Sequence, residues 1–146
     1  MSSEPVEILL VEDNPNDLEL AMHAFARHNL ANTVEVARDG QEALDYLLGS
    51  DGREAGPMPK LILLDLKLPK VDGLEVLRRL RAEEHLRLVP IVALTTSRQE
   101  RDVIESYALG VNSYIVKPID FDKFVDVVQT LGFYWLLLNE PPRPPS

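Results

Sequence analysis

The sequence predicts an α/β fold in which five parallel strands form one sheet with helices on both faces. Short apolar runs alternate strictly with segments of helical periodicity, and most of these runs are almost continuously apolar. Such runs are typical of strands that are buried on both faces of a parallel sheet. Each crossover between the strands is expected to be right-handed. The predicted strands are residues 8–11, 33–37, 61–64, 91–94 and 114–116.

The segments between the strands begin with residues that favour the start of a helix. The clearest case is Asn14-Pro15, a good N-cap followed by proline at the first helical position. Two later pairs of residues have the spacing of a capping box. Together these starts predict one helix after each strand. The other predicted starts are Asp39 with Glu42, Gly73, Ser97 with Glu100, and Asp120.

Length and composition indicate a single domain that does not bind polyanions. The chain has 146 residues and no cysteine, so disulfides and cysteine-ligated metal sites are excluded. Its formal net charge is −9, and an acidic surface disfavours nucleic acid and anionic membranes as partners. We find neither a signal peptide nor an apolar run near the roughly 20 residues that span a bilayer. We therefore expect a cytoplasmic protein.

The pattern along the chain predicts a domain at residues 5–131 with two further segments behind it. Residues 49–60 are rich in Gly and Pro, and we expect them to form a mobile surface loop. Residues 132–140 are predicted as an apolar extension of the last helix. Residues 141–146 are predicted as a Pro-rich disordered tail.

The apolar extension predicts a contact with another protein. Consecutive apolar residues at 133–138 would surround a helix completely, and the core of one domain cannot bury every side of it. The alternative is that part of the segment covers the domain's own core while Trp135 lies flat on the surface. We predict a homodimer, because exposed aromatic patches usually mark interfaces. The predicted interface residues are Phe133, Tyr134, Trp135, Leu136 and Leu137.

Polar side chains follow several of the predicted strands at their carboxyl ends. Glu12 and Asp13 follow the first strand, and Asp65 follows the third. Thr95 and Lys117 follow the fourth and the fifth. Because ligands of open parallel sheets bind outside these strand ends, we expect the five residues to lie together. Crowded carboxylates need a cation, and a set of oxygen ligands suits Mg²⁺.

A metal, a carboxylate, a hydroxyl and a lysine around one point indicate phosphoryl transfer. Asp65 is the expected nucleophile, which would form an acyl phosphate. Lys117 and Mg²⁺ would neutralise the transferred oxygens, and Thr95 would donate a hydrogen bond to one of them. Each residue also has a plainer interpretation as a loop acid, a strand end or, for Glu12, a solvent-facing side chain. The combination favours a functional site.

The ordered motifs resemble the receiver domain of response regulators in two-component signalling. They are the acidic pair Glu12-Asp13, Asp65 closing "LILLD", "LPKVDG" at 68–73, Thr95 closing "IVALT", and "YIVKP" at 114–118. The resemblance covers about residues 5–130 and implies a flavodoxin-like sheet in the order 2-1-3-4-5. It also implies that Asp65 accepts a phosphoryl group from a phosphohistidine of a sensor histidine kinase or a phosphotransfer protein.

The same resemblance implies a role for each residue of the site. Mg²⁺ would be held by Asp13, Asp65 and the main-chain carbonyl of Lys67, and Glu12 would support it through water. Phosphorylation would draw Thr95 inward with Tyr114 following, which would repack a protein-contact surface. Tyr114 also fits an ordinary half-buried strand aromatic.

Two other functions share part of this pattern. A haloacid-dehalogenase-type phosphatase uses a similar aspartate, Mg²⁺ and lysine, but it needs a second acid where this chain has Lys67. A pseudo-receiver would bind partners without taking phosphate, and the intact Asp13, Asp65, Thr95 and Lys117 argue against it. We expect a signalling protein that catalyses only its own phosphorylation and dephosphorylation. "VEDNPND", the long loop and the apolar extension are similar to small receivers encoded beside bacterial phytochrome-type kinases.

Overall fold

The structure is a computed structural model that describes residues 8–27, 33–50, 52, 54–96, 105, 107–117, 122–123 and 125–126. Within these residues the chain forms five strands, three α-helices and one short 3₁₀ helix. In chain order they are β1 (Ile8–Val11), α1 (Pro15–Arg27), β2 (Val34–Ala37), α2 (Gly40–Leu48), β3 (Leu61–Asp65), α3 (Gly73–Ala82), the 3₁₀ helix (Glu84–Leu86), β4 (Ile91–Thr95) and β5 (Ser113–Val116).

The strands form one parallel sheet in the order β2-β1-β3-β4-β5, which confirms the predicted fold class and strand order. Each predicted strand is present, with ends that differ from the prediction by at most one residue. The register places Val11 beside Leu64, and Asp65 beside Leu94. The carboxyl ends of the central strands therefore meet at one edge of the sheet.

The three central strands, β1, β3 and β4, are buried on both faces, as their apolar runs predict. Alternate residues of β3 belong to different cores: Ile62 and Leu64 face α2 and α3, whereas Leu61 and Leu63 face α1. Phe25 of α1 fills the second core and is almost fully buried. Because these central strands have no solvent-facing side, their polar side chains lie at their carboxyl ends, whereas the edge strand β2 exposes Glu35 in its middle.

The helix starts that the structure describes agree with the predicted caps. Asn14 Oδ1 accepts hydrogen bonds from the amides of Asn16 (2.9 Å) and Asp17 (3.1 Å), so Asn14 is the N-cap of α1. Asp39 Oδ1 accepts from the amide of Glu42 at 2.7 Å. The return contact of this capping box differs from the prediction, because Glu42 Oε2 accepts from the amide of Arg38 at 3.4 Å. The predicted starts at 97–100 and 120 lie outside the described residues.

The described part of the loop after α2 lies at the surface, as predicted, and contacts Tyr46 of α2; its mobility stays a prediction. The Tyr46 hydroxyl donates to the carbonyl of Pro57 at 2.8 Å, and the Gly56 amide donates to the carbonyl of Tyr46 at 2.7 Å. A Cβ atom on Gly56 would lie only 2.4 Å from the Tyr46 ring. One aromatic side chain of α2 therefore holds this loop, and its Gly and Pro content gave no sign of that contact.

The two domain segments that we predict behind residue 131 lie outside the described residues. The boundary at 131, the apolar extension at 132–140 and the tail at 141–146 thus stay predictions. Among the helices that the structure describes, none combines the length and the apolar character needed to cross a membrane.

Two glycines let the loop after β3 approach the neighbouring helices closely. The Gly73 amide donates to the carbonyl of Leu66 at 3.1 Å, and a Cβ atom on Gly73 would lie 2.4 Å from the Leu66 Cα atom. A Cβ atom on Gly40 would lie 1.9 Å from the carbonyl oxygen of Val71. In both cases the close neighbour includes backbone, which cannot rotate away. This loop follows Asp65 directly, so its close packing helps to fix the position of Asp65.

We expect Gly73→Ala to lower the free energy of unfolding by about 1–3 kcal/mol, because the added methyl group overpacks a backbone contact. Urea denaturation of the purified variant measures this change. Arg79→Ala is the matched control on the exposed side of α3, and it should change stability by less than about 0.5 kcal/mol. A Gly73→Ala variant as stable as the wild type would contradict the proposed close approach.

Candidate functional site

The sheet register brings the acidic residues of two strands together. The Glu12 amide donates to the carbonyl of Ala37 at 2.9 Å, so the ladder between β1 and β2 continues one residue beyond β1. Val11 lies beside Leu64 in the neighbouring strand, so Glu12 follows at the level of Asp65. Two acids that are 53 positions apart in the sequence thus become neighbours at the edge of the sheet.

Glu12, Asp13 and Asp65 form a cluster that fits a divalent cation. One carboxylate oxygen of each residue lies within 4.8 Å of the others. Glu12 is 1% exposed and Asp65 is 4% exposed, whereas Asp13 is exposed to solvent. Oxygen atoms from carboxylates are the ligands that hard divalent cations prefer, and the exposed Asp13 leaves an open side for water.

Lys117 provides the positive charge of the site. Its side chain is 8% exposed, and Nζ donates to Glu12 Oε1 (2.5 Å), to Asp17 Oδ2 (2.9 Å) and to Asp65 Oδ2 (3.0 Å). Burial by itself would lower the pKa of Lys117, but the hydrogen bonds to these three carboxylates outweigh burial and raise it above its ordinary value. The ammonium is therefore charged throughout the physiological pH range.

The backbone of Lys117 is fixed by β4. Its amide donates to the carbonyl of Thr95 at 2.7 Å, directly after the last ladder pair of Thr95 with Val116. This bond extends the pairing of β4 and β5 by one residue, so the lysine side chain starts from a fixed point at the sheet edge.

Glu12 is the most deeply buried acid of the site, and our alternative interpretation of it as a solvent-facing side chain is wrong. Burial raises the pKa of the Glu12 carboxyl from 4.5 to about 8, and its hydrogen bond with Asp65 adds to the rise. The hydrogen bond from Lys117 acts in the opposite direction but does not cancel the shift. Crowding of acids at the end of β1 is therefore relieved by a proton on Glu12 when no cation is present.

Both oxygens of Asp65 have partners in the protein. Oδ2 accepts from Lys117, and Oδ1 accepts from the amide of Lys67 at 2.9 Å. The Lys67 main chain thus lies beside Asp65, as the predicted use of its carbonyl for a metal requires, while the Lys67 residue itself is exposed. These two hydrogen bonds hold the carboxylate in one orientation.

The predicted switch residues lie on β4, which pairs with β3, and on the edge strand β5 beyond it. Thr95 ends β4 and is fully buried. Tyr114 lies opposite Ala93 in β5, is half-buried, and packs against the core that faces α2 and α3. The positions of both residues are compatible with the predicted roles. The predicted interface residues at 133–137 lie outside the described residues.

Asp17 is a residue of the site that the sequence analysis missed. It lies in the first turn of α1, and its Oδ2 atom accepts from Lys117 across 100 positions of sequence. The available signal was an acid in the first turn of a helix that starts directly after the acidic pair. That signal is weak, because acids are common in first turns, where they interact favourably with the helix dipole.

We expect the stability of the metal-free protein to fall as pH rises from about 4.5 to about 8. In this window the folded state binds a proton on Glu12 that the unfolded state has lost, so deprotonation favours unfolding. The loss should be about 1 kcal/mol or more, since one pKa unit corresponds to about 1.4 kcal/mol. Urea denaturation in EDTA at pH 5 and pH 8 measures it.

The control for this pH dependence is Glu12→Gln, which cannot release a proton. Titrating groups away from the site contribute equally to both proteins, so the difference between them reports on Glu12 and its contacts. A fall in stability that is as steep in Glu12→Gln as in the wild type would show that Glu12 is not the titrating group.

Comparisons with known proteins identify the family of the chain. The model of the response regulator receiver domain matches residues 8–129. The chain is 43% identical over 143 residues to the probable methanogenesis regulatory protein FilR2 of Methanothrix harundinacea, which covers 98% of this chain and 92% of FilR2. It is 40% identical over 135 residues to the response regulator Rcp1 of Synechocystis sp., which covers 92% of each chain.

Solved structures agree with these matches. The bacteriophytochrome response regulator AtBRR is 54% identical, with a TM-score of 0.75 and coverage of 94% of this chain and 100% of its own. The Mn²⁺-bound form of Rcp1 has a TM-score of 0.76 at 38% identity, with coverage of 97% and 100%. The acidic cluster of Glu12, Asp13 and Asp65 fits the metal-binding phosphoacceptor site of such proteins. The chain belongs to the response regulator receiver family.

Proposed function

We propose that this chain is a phosphoacceptor switch in which Asp65 takes a phosphoryl group from a phosphohistidine of a sensor histidine kinase or a phosphotransfer protein. The observation that carries the proposal is the joint geometry of acids and lysine. Asp65 contributes one oxygen to the cluster with Glu12 and Asp13, and its Oδ2 atom lies 3.0 Å from the Lys117 ammonium. This arrangement combines a nucleophile, a cation site and a charge-neutralising group at one point.

The transfer itself is a displacement at phosphorus. An Asp65 carboxylate oxygen forms the new P–O bond, the P–N bond of phosphohistidine breaks, and its electron pair returns to the imidazole ring. Lys117 neutralises charge on the transferred oxygens, and the buried Thr95 at the end of the adjacent strand donates a hydrogen bond to one of them. Hydrolysis of the acyl phosphate then restores the Asp65 carboxylate.

We propose Mg²⁺ as the cofactor. Asp13, Asp65 and the carbonyl of Lys67 would hold it, with Glu12 supporting it through water. Two observations support a small divalent cation: the oxygen-only cluster, and the Mn²⁺ in the structure of Rcp1. Mg²⁺ suits a site with few protein ligands, because it retains several of its waters. When bound, the ion supplies positive charge between the carboxylates and the phosphoryl oxygens.

We propose a bacterial phytochrome-type sensor kinase in the cytoplasm as the partner. The support is the 54% identity to a bacteriophytochrome response regulator over 94% of the chain, together with the identity to Rcp1. In this role the protein is a signalling switch and catalyses only its own phosphorylation and dephosphorylation.

The proposed output is a rearrangement of a protein-contact surface in response to the charge that phosphorylation adds at Asp65. Phosphorylation adds about two negative charges at Asp65, which a two-state element near the site converts into a population shift. Thr95 moves toward the phosphoryl group, and Tyr114 follows into the space beside β4. The half-buried position of Tyr114 next to Ala93 supports this coupling, because the ring has both a packed and an exposed side.

With Mg²⁺ and acetyl phosphate, we expect one phosphoryl group per chain in an adduct that hydroxylamine cleaves. Intact-protein mass spectrometry measures the stoichiometry, and EDTA should abolish the reaction. Asp65→Asn should form no adduct, because it lacks the nucleophile. Asp72→Asn is the matched control, since Asp72 is an exposed acid seven residues further on that the site does not use.

Two outcomes of this experiment favour the other functions. Release of many phosphate equivalents per chain would favour a phosphatase of the haloacid-dehalogenase type. No adduct on the wild-type protein, with Asp65→Asn behaving identically, would favour a pseudo-receiver that acts by binding alone.

We also propose that the chain forms a homodimer through Phe133, Tyr134, Trp135, Leu136 and Leu137. The proposal rests on the apolar sequence, because these residues lie outside the described part of the chain. Removal of residues 133–146 should convert a dimer into a monomer in light-scattering measurements. Removal of residues 141–146 alone is the control and should leave the dimer intact. A dimer that survives the longer truncation would contradict the proposal.

A further inference from the structure

The Lys117 ammonium has no donor to spare in this structure. An ammonium group has three N–H donors and no acceptor. All three directions are taken by carboxylates, those of Glu12, Asp17 and Asp65. A phosphoryl oxygen that arrives at Asp65 can bind Lys117 only if one of these carboxylates leaves.

The exposure of the three carboxylates shows which one can leave. Glu12 is 1% exposed, and its second oxygen accepts from the amide of Asn14 at 3.3 Å. Asp65 carries the phosphoryl group, and its acyl phosphate keeps a carbonyl oxygen beside the ammonium as an acceptor. The Asp17 side chain is 26% exposed, so water can replace the ammonium as its partner. Separation of a buried carboxylate from its ion-pair partner costs far more than separation of a partly exposed one.

The backbone of Asp17 does not have to move for this exchange. Its amide donates to Asn14 Oδ1 at 3.1 Å, which fixes the first turn of α1 independently of Lys117. Rotation of the Asp17 side chain toward solvent is sufficient to release the ammonium. The contact between Asp17 and Lys117 can therefore break while α1 and the acidic cluster stay in place.

We propose that Asp17 is a positioning residue that occupies the third donor of Lys117 in the unphosphorylated protein and competes with the incoming phosphoryl group for it. This inference rests on the proposed phosphoacceptor function of Asp65. It assigns Asp17 a regulatory effect, because its carboxylate and the phosphoryl oxygens compete for the same ammonium. The strength of the contact between Asp17 and Lys117 therefore sets how readily the site accepts phosphate.

The test is the affinity for beryllofluoride, a reversible mimic of the phosphoryl group, at saturating Mg²⁺. Asp17→Asn keeps the size of the side chain but removes its charge, and we expect it to bind beryllofluoride about threefold to tenfold more tightly. Isothermal titration calorimetry measures the dissociation constants. Loss of a merely structural contact would leave the affinity unchanged or weaken it, whereas loss of a competitor tightens it. Asp17→Ser provides a second variant in case Asp17→Asn folds poorly.

Two controls separate competition from a general charge effect. Glu19→Gln removes the same charge from an exposed position of the same helix, and its affinity should equal that of the wild type. Competition also requires the lysine, so in a Lys117→Met background the gain from Asp17→Asn should disappear. A gain that persists without Lys117 would overturn the inference.

The result also distinguishes this inference from the proposed function. If wild-type protein with Mg²⁺ binds no beryllofluoride and forms no acyl phosphate, the phosphoacceptor function fails, and the role of Asp17 fails with it. If the wild type binds beryllofluoride and Asp17→Asn binds it equally or more weakly, only the role of Asp17 is overturned.

Discussion

The site depends on one buried ammonium surrounded by carboxylates. Lys117 is almost fully buried and interacts with three acids that belong to three different elements or their ends. An isolated charge in such a place would be strongly unfavourable, and so would the acids without the lysine. The ends of β1, β3 and β5 are therefore held together by the same ion pairs that prepare the chemistry. Stability and function cannot be separated at this point of the fold.

The net negative charge of the site explains why it favours the binding of a cation. Four carboxylates and one ammonium leave a net charge of −3 when all are ionised. A proton on the buried Glu12 reduces this excess in the metal-free protein, and a divalent cation reduces it further. The phosphoryl group brings back about two negative charges. In the phosphorylated state Lys117 and the cation therefore have to neutralise phosphoryl oxygens as well as carboxylates.

The sheet holds the charged residues of the site in fixed positions. Its central strands are buried on both faces, and the ladder bonds of Glu12 and Lys117 extend the pairing to the residues of the site. Gly73 and Gly40 allow the loop after Asp65 to lie against the backbone of its neighbours. The acids are consequently held by backbone geometry, and the side chains with freedom to respond are those at the rim, Asp13 and Asp17.

The amino-acid pattern alone predicted the fold class, the strands to within a residue at each end, and the position of Glu12, Asp13, Asp65, Thr95 and Lys117 at one edge of the sheet. These follow from local periodicity and from the rule that parallel strands end on the same side. Three features became visible only in the folded chain: the burial of Glu12, the contacts of Tyr46 with the loop after α2, and the contact of Asp17 with Lys117. Each depends on the direction and environment of one side chain relative to a residue distant in sequence. Local periodicity carries no information on such pairs, because it reports which face of an element is apolar and not what that element meets.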